Sequence, residues 1–185
     1  MKLNQFAKFL RDSYTKYGRP KEKLMHIEVV GHRSKQLKDL MAQAVEFYCS
    51  LLLSKRMQKS IEVYVILKKN LENNYSGFCT YVDHHKGKRI FEIELAKGFT
   101  VRDTFCSLAH EVVHLKQFAT GELKDYLVTA NVSKFKGELL NESKIDYWDL
   151  PYEIEAYGRE KGLFTRFVYA VGLDADKKFL NSKVK

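Results

Sequence analysis

The sequence predicts a single α+β domain, and three observations favour this class. An amphipathic stretch from Thr104 to Thr120 has helical periodicity, about four short strand-like runs come before it, and a second helical stretch follows near the carboxyl end. A chain of 185 residues is long enough to enclose one sizeable core. We therefore expect one domain over residues 1–173, followed by a polar tail over residues 174–185 that frays.

Each predicted element has a local signal at its ends or along its length. In chain order we expect an amphipathic helix near the amino terminus, a strand Ile27 to Val30, a helix capped by Ser34, a strand Ile61 to Leu67, a hairpin of Phe78 to Val82 with Ile90 to Leu95, a helix from about Thr100, a strand within Leu127 to Phe135, and a last helix from Pro151 to about Val171. Asp149 is expected to cap that last helix. Gly158 and Gly162, one turn apart, are expected to let another helix approach closely.

Charge and cysteine content limit the cellular setting. The net charge is +9, and the basic surplus lies at the two ends of the chain, which could make weak contact with nucleic acid. Cys49, Cys79 and Cys106 are far apart and form no C-x-x-C pair, which favours free thiols in a reducing cytoplasm. No run approaches the roughly 20 apolar residues of a membrane span, so we expect no membrane contact.

The helical stretch contains His110, Glu111 and His114 in the order H-E-x-x-H. Residues four apart lie on one helix face, so two imidazoles at this spacing can bind one Zn²⁺, while Glu111 points to the side and can reach a water molecule on the metal. On a helical wheel the opposite face carries six apolar or small residues: Val101, Phe105, Leu108, Val112, Leu115 and Ala119. The stretch therefore predicts a helix with one core face and one face for metal chemistry.

Two histidines leave a catalytic zinc ion short of one protein ligand, because such sites usually carry three. No histidine follows His114, so a carboxylate from a later helix is the remaining source. Glu153 and Glu155 both lie at the start of the last predicted helix. On this reasoning alone, either of them could complete the site.

The order of elements up to the H-E-x-x-H helix resembles the amino-terminal half of zincin metallopeptidases. That resemblance implies a mixed sheet packed on the buried face of the helix, with an edge strand that pairs with an extended peptide. We predict Phe91 to Leu95 as that edge strand. The segment E-I-E-A, from Glu153 to Ala156, resembles the E-x-x-A element of gluzincins, which implies Glu153 as the third ligand and Glu155 as an outer residue. The missing later histidine departs from the SprT-like DNA-repair proteases.

Two further segments, H-E-V-V-H-L-K-Q and W-D-L-P-Y-E-I-E-A-Y, resemble a group of small single-domain metallopeptidases that are common in bacteriophage genomes. The resemblance covers roughly Phe91 to Leu163. It implies a zinc-dependent peptidase fold and names no substrate. If the chain is phage-encoded, its place of action would be the cytoplasm of the host cell.

The predicted mechanism uses a zinc-activated water with Glu111 as general base. An oxyanion donor is also needed, and we predict Tyr157, one turn after Glu153, ahead of Tyr147 and Tyr152. Gln117 lies on the histidine face and could contact a ligand or the peptide. The sequence thus predicts a zinc endopeptidase that acts on a protein or peptide inside the cell. The alternatives are a DNA-associated SprT-like protease and a non-catalytic interaction protein with the same fold.

Overall fold

The order of strands and helices is that of an α+β domain, which confirms the predicted class. The computed structural model describes residues 25–71, 75–85, 88–125 and 131–185, and the predicted amino-terminal helix lies outside these ranges. The strands are β1 His26–Val30, β2 Ile61–Lys68, β3 Gly77–His85, β4 Lys88–Ala96, β5 Leu123–Asp125, β6 Val132–Phe135 and β7 Glu138–Asn141. The helices are α1 Lys35–Leu52, α2 Lys55–Lys59, α3 Val101–Thr120, α4 Pro151–Val171 and α5 Lys177–Leu180. Within the described ranges, no helix is long and apolar enough to cross a membrane.

The main sheet has four strands in the order β1-β2-β4-β3, with β1, β2 and β4 parallel and β3 antiparallel to β4. Strand β2 alternates fully buried residues with half-buried ones, and its buried side chains lie beside those of β4, as in the pairs Val63 with Phe91 and Val65 with Ile93. Helices α1 and α3 pack on the sheet and against each other. The core therefore lies between this sheet and the H-E-x-x-H helix.

The prediction that Phe91 to Leu95 forms the sheet edge is wrong. These residues belong to β4, which pairs with β2 on one side and with β3 on the other. The hairpin folds β3 back to the outside of the sheet, so β3 is the edge strand next to α3. The strand that directly precedes α3 in the sequence is therefore not the edge strand, because β4 lies inside the sheet, between β2 and β3.

Helix α3 begins and ends where local signals predict. Thr100 caps its first turn by accepting a hydrogen bond from the main-chain N–H of Asp103, and Gly121 ends it in the left-handed conformation, with φ of 74°. The six apolar or small residues predicted to face the core are all buried. The predicted faces of this helix are confirmed.

Helix α4 starts at Pro151, as expected, but its cap differs from the prediction. Leu150 is the capping residue, and Asp149 lies in the preceding short turn Tyr147–Asp149 and does not cap the helix. Gly158 and Gly162 are exposed, and a Cβ built on either meets no other described residue within 4 Å, apart from its chain neighbours and the nearby backbone of α4. The expected close approach at these glycines is therefore wrong, because they lie on the solvent face of α4.

Two regions near the end of the chain carry more structure than their sequences suggest. Strands β5, β6 and β7 form a small antiparallel sheet, of which only β6 falls within the predicted strand Leu127 to Phe135. The tail 174–185, which we expected to fray, contains α5 and packs against the start of α3: Leu180 and Val184 are buried, and Val184 exchanges main-chain hydrogen bonds with Gly98 and Phe99. Two apolar side chains and a short pairing are enough to dock a polar tail.

Candidate metal centre

The two histidines of the H-E-x-x-H motif converge as their spacing predicts. Both rings are buried on α3, and the Nε2 atoms of His110 and His114 lie 3.0 Å apart. Two Nε2 atoms at this distance cannot both carry a proton, so at least one presents a lone pair to the other. The two nitrogen atoms are close enough to bind one proton or one metal ion together.

Glu153, from the first turn of α4, completes the group. Its Oε2 lies 3.2 Å from His110 Nε2, and its Oε1 lies 3.5 Å from His114 Nε2. Three donors around a tetrahedral zinc ion would be separated by about 3.3 Å, since Zn–N and Zn–O distances are about 2.0–2.2 Å. The three side chains therefore form a buried group that could hold a metal ion, and their spacing fits such an ion.

Glu155, the competing candidate for the third ligand, faces away from the histidines. Its Oε1 is 3.0 Å from Lys116 Nζ and 3.0 Å from Arg159 Nε. Burial raises the pKa of Glu155, but Lys116, Gln117 and Lys136 outweigh this and lower it to about 2. Lys136 lies 3.5 Å from its other oxygen. Glu155 is thus an ion-pair partner that links α3 to α4.

Gln117 orients the His114 ring from one turn further along α3. The Gln117 amide group donates through Nε2 to the carbonyl of Tyr152, 2.9 Å away, and to Glu155 Oε2, 3.3 Å away. These acceptors turn the amide oxygen toward His114 Nδ1, at 2.9 Å. His114 must then donate from Nδ1, which leaves its Nε2 lone pair for the metal. Gln117 is fully buried, so its role is internal to the site.

Glu160 performs the same task for His110, and the sequence did not point to it. Its Oε2 lies 3.1 Å from His110 Nδ1, which donates to this carboxylate and keeps its Nε2 directed at Glu153. Glu160 follows Glu153 by seven residues, which is two helical turns, so both lie on one face of α4. That spacing is the signal that could have found it.

Replacing Glu160 with glutamine is expected to weaken metal binding by about 10–100-fold. A neutral amide polarises the His110 ring less than a carboxylate does, so His110 Nε2 becomes a weaker ligand for the metal. The measurement is zinc affinity by competition with a chelating dye, at fixed pH. The neighbouring Lys161→Gln variant, at an exposed site, serves as the control and should change the affinity less than about twofold. Equal affinities for Glu160→Gln and the wild type would show that Glu160 does not act on the metal.

The proton carried by His110 should make metal binding pH-dependent. Burial lowers the pKa of His110, but hydrogen bonds to Glu153 and Glu160 outweigh this and raise it to about 9 in the metal-free protein. A metal binds the neutral ring, so below pH 9 binding must expel this proton. Burial opposes it, but the hydrogen bond to Glu153 raises the pKa of His114 as well. We therefore expect the apparent zinc affinity to rise by at least about tenfold per pH unit below pH 9 and to level off above it. Calorimetry in two buffers would measure the released proton, and a pH-independent affinity would contradict this assignment.

Glu111 lies beside the two histidines and borders the same cavity. It is 5% exposed, and burial raises its pKa to about 7 despite the opposing effect of His114 and His110. A carboxyl group with a pKa near neutrality can both accept and return a proton at physiological pH. It does not belong to the group that could hold the metal.

A cavity of about 330 Å³ opens over the three candidate ligands. One wall is the start of β3 and the other is the turn before α4. Among the described residues its lining includes Tyr147 and Tyr152 and leaves out Tyr157. The Tyr147 hydroxyl donates to Glu153 Oε2 at 2.8 Å, while the Tyr157 ring packs edge-on against His110, with 4.4 Å between ring centroids. The role predicted for Tyr157 stays a prediction, with Tyr147 nearer to the open space.

No protein-family model matches this chain, and no curated protein or solved structure is significantly similar to it. The resemblance to gluzincins therefore stays a prediction carried by the motifs. The geometry around His110, His114 and Glu153 stands independently of it.

Proposed function

We propose that this protein is a zinc-dependent endopeptidase acting inside the cell. The observation that carries the proposal is the convergence of three ligand side chains on a cavity that also holds Glu111, a buried carboxyl group whose pKa is about 7. A zinc ion in this site would supply Lewis acidity toward a carbonyl group and lower the pKa of a water molecule. Two nitrogen donors and one carboxylate are a ligand set typical of catalytic zinc.

The proton transfers fall to Glu111. It would take the proton from the attacking water and pass it to the amine that leaves. Burial raises its pKa to about 7 in the metal-free protein, and a bound cation would lower that pKa, which favours the carboxylate form that accepts the proton. Gln117 and Glu160 hold the two imidazoles with their Nε2 atoms turned inward, so the ligands need little rearrangement before the reaction. Reorganisation of the site during catalysis would then cost little free energy.

The edge strand β3 supports a peptide as substrate. The hydrogen bond from Ala96 N–H to the Ser76 carbonyl, at 3.0 Å, sets the register, so the main-chain groups of Gly77 point away from β4. Gly77 and Cys79 both line the cavity. An extended peptide could therefore run along the outer side of β3 and place a carbonyl group over the candidate ligands.

Open space on both sides of the cavity favours cleavage within a chain. A groove of about 570 Å³ shares Phe118 and Leu123 with the cavity. A separate groove of about 560 Å³ includes Ser76, the residue before Gly77, in its lining. A peptide could thus extend in both directions from the ligands, as an endopeptidase requires.

The expected result is that the zinc-loaded protein generates new peptide termini in a library of unfolded proteins, detected by mass spectrometry. These termini should disappear when the metal is chelated and should return when zinc is restored. A protein that binds zinc but cuts nothing in such a library would contradict the enzymatic proposal and favour a binding protein. Retention on DNA that weakens steeply with salt would support the DNA-associated alternative.

Tyr147 and Tyr157 can be separated by removing one hydroxyl at a time. Because Tyr147 lines the cavity and Tyr157 does not, we expect Tyr147→Phe to lower kcat by about 10²-fold and Tyr157→Phe to lower it less than about fivefold. Steady-state kinetics on one cleaved peptide would measure both. The reverse order would restore Tyr157 as the oxyanion donor.

A further inference from the structure

The first residue of the edge strand, Gly77, lies directly against the side chain of Glu111. A Cβ built on Gly77 would be 2.7 Å from Glu111 Oε1 and 3.0 Å from Glu111 Cγ. Real Cβ atoms essentially never show contacts under 3.0 Å. The space that a side chain at position 77 would need is therefore the space that the Glu111 carboxylate occupies.

The backbone at Gly77 does not itself require glycine. Gly77 has an ordinary strand conformation and pairs with Leu95 of β4, unlike Gly31, Gly98 and Gly121, whose φ angles are positive. Any residue could adopt this conformation. The need for glycine comes instead from its neighbours, and the shortest contact is with Glu111.

The neighbours of Gly77 determine which group would yield to a larger residue. On the other side of the built Cβ, Leu95 Cδ2 lies at 3.1 Å, and Leu95 is fully buried in the core. Strand β3 is tied to β4 at this point by the bond from Ala96 N–H to the Ser76 carbonyl. Glu111, in contrast, borders the open cavity, so its carboxylate is the group that can move.

We propose that Gly77 is a positioning residue for Glu111: the bare Cα of the edge strand holds open the place from which this carboxylate reaches the water on the metal. The inference rests on the proposed function for its catalytic meaning. Restoring an ordinary contact of 3.4 Å would require the carboxylate to move by about 0.7 Å. Misplacement on the scale of 1 Å can cost about 10²-fold in rate.

The crystal structure of zinc-loaded Gly77→Ala tests the positioning directly, and it needs no substrate. The expected result is a Glu111 carboxylate displaced toward the cavity, with β3 and the three ligands in place. A structure in which β3 moves away and Glu111 keeps its position would overturn the proposal. If the wild type cleaves nothing, the proposed function fails while this structure still decides the positioning.

Kinetics then test the consequence for catalysis. Gly77→Ala is expected to lower kcat by about 10–100-fold with KM changed less than about twofold, and to bind zinc as tightly as the wild type. Gly162→Ala, at an exposed helical site with open space around it in the described structure, is the matched control and should keep full activity. In a Glu111→Gln background Gly77→Ala should cause no further loss, because it acts through that carboxylate. A full additive loss, or a loss of zinc, would overturn the proposal.

Discussion

Replacing Glu111 with glutamine is expected to lower kcat by on the order of 10³-fold while leaving zinc binding unchanged. The glutamine amide has nearly the same shape but cannot accept a proton from water, and general-base catalysis typically contributes about 10²–10⁴-fold. Zinc should stay bound because Glu111 is outside the His110, His114 and Glu153 group. Removing a buried carboxyl whose pKa is about 7 should also relieve a desolvation cost, so the variant should fold at least as stably.

The measurement pairs peptide cleavage with elemental analysis on the same preparation. Glu46→Gln, on α1 and away from the cavity, makes the same chemical change and should keep wild-type activity. Cleavage by Glu111→Gln at the wild-type rate would mean that another group moves the proton. Glu111 would then not be the general base.

The second large effect is expected on metal binding. Glu153→Ala should reduce zinc affinity by well over the roughly 100-fold typical of an outer partner, because it removes a direct ligand. Glu155→Ala should change the affinity by about tenfold at most, since Glu155 reaches His114 only through Gln117. It should instead lower the free energy of unfolding of the metal-free protein by about 1–3 kcal/mol, because Gln117 and the mostly buried Lys116 lose a charged partner.

Competition titrations and urea unfolding of both variants would separate these two effects. Zinc affinity lost with Glu155→Ala and kept with Glu153→Ala would reverse the assignment of the third ligand. Both variants remove a glutamate side chain from the start of α4, so each serves as the control for the other.

Helix α3 could be predicted from the sequence almost completely, and the reason is physical. The spacing of its two histidines, the pattern of apolar residues along it and the signals at its ends, such as the cap of Thr100 and the left-handed Gly121, all lie within the helix or next to it. Glu153 was reached only through a resemblance, since the sequence alone left it equal to Glu155. The structure separates the two because α4 turns Glu153 toward the histidines and Glu155 toward Lys116.

The parts that the sequence did not predict depend on contacts between distant segments. Glu160 meets His110 across 50 residues, and that contact exists only because α3 and α4 pack together. The edge strand depends on which strand pairs with β2, which the local pattern of alternating residues in β4 does not reveal. The demand for glycine at position 77 is likewise invisible in the sequence, because the neighbours that exclude a side chain, Glu111 and Leu95, lie on other elements.

The most direct test of the proposed metal centre is a crystal of the zinc-loaded protein measured at the zinc absorption edge. We expect one anomalous peak per chain, about 2.0–2.2 Å from the Nε2 atoms of His110 and His114 and from a carboxylate oxygen of Glu153, with the remaining coordination position facing Glu111 and the cavity. A peak at other side chains, or no peak among these three donors in a zinc-saturated crystal, would contradict the metal centre and the peptidase proposed on it.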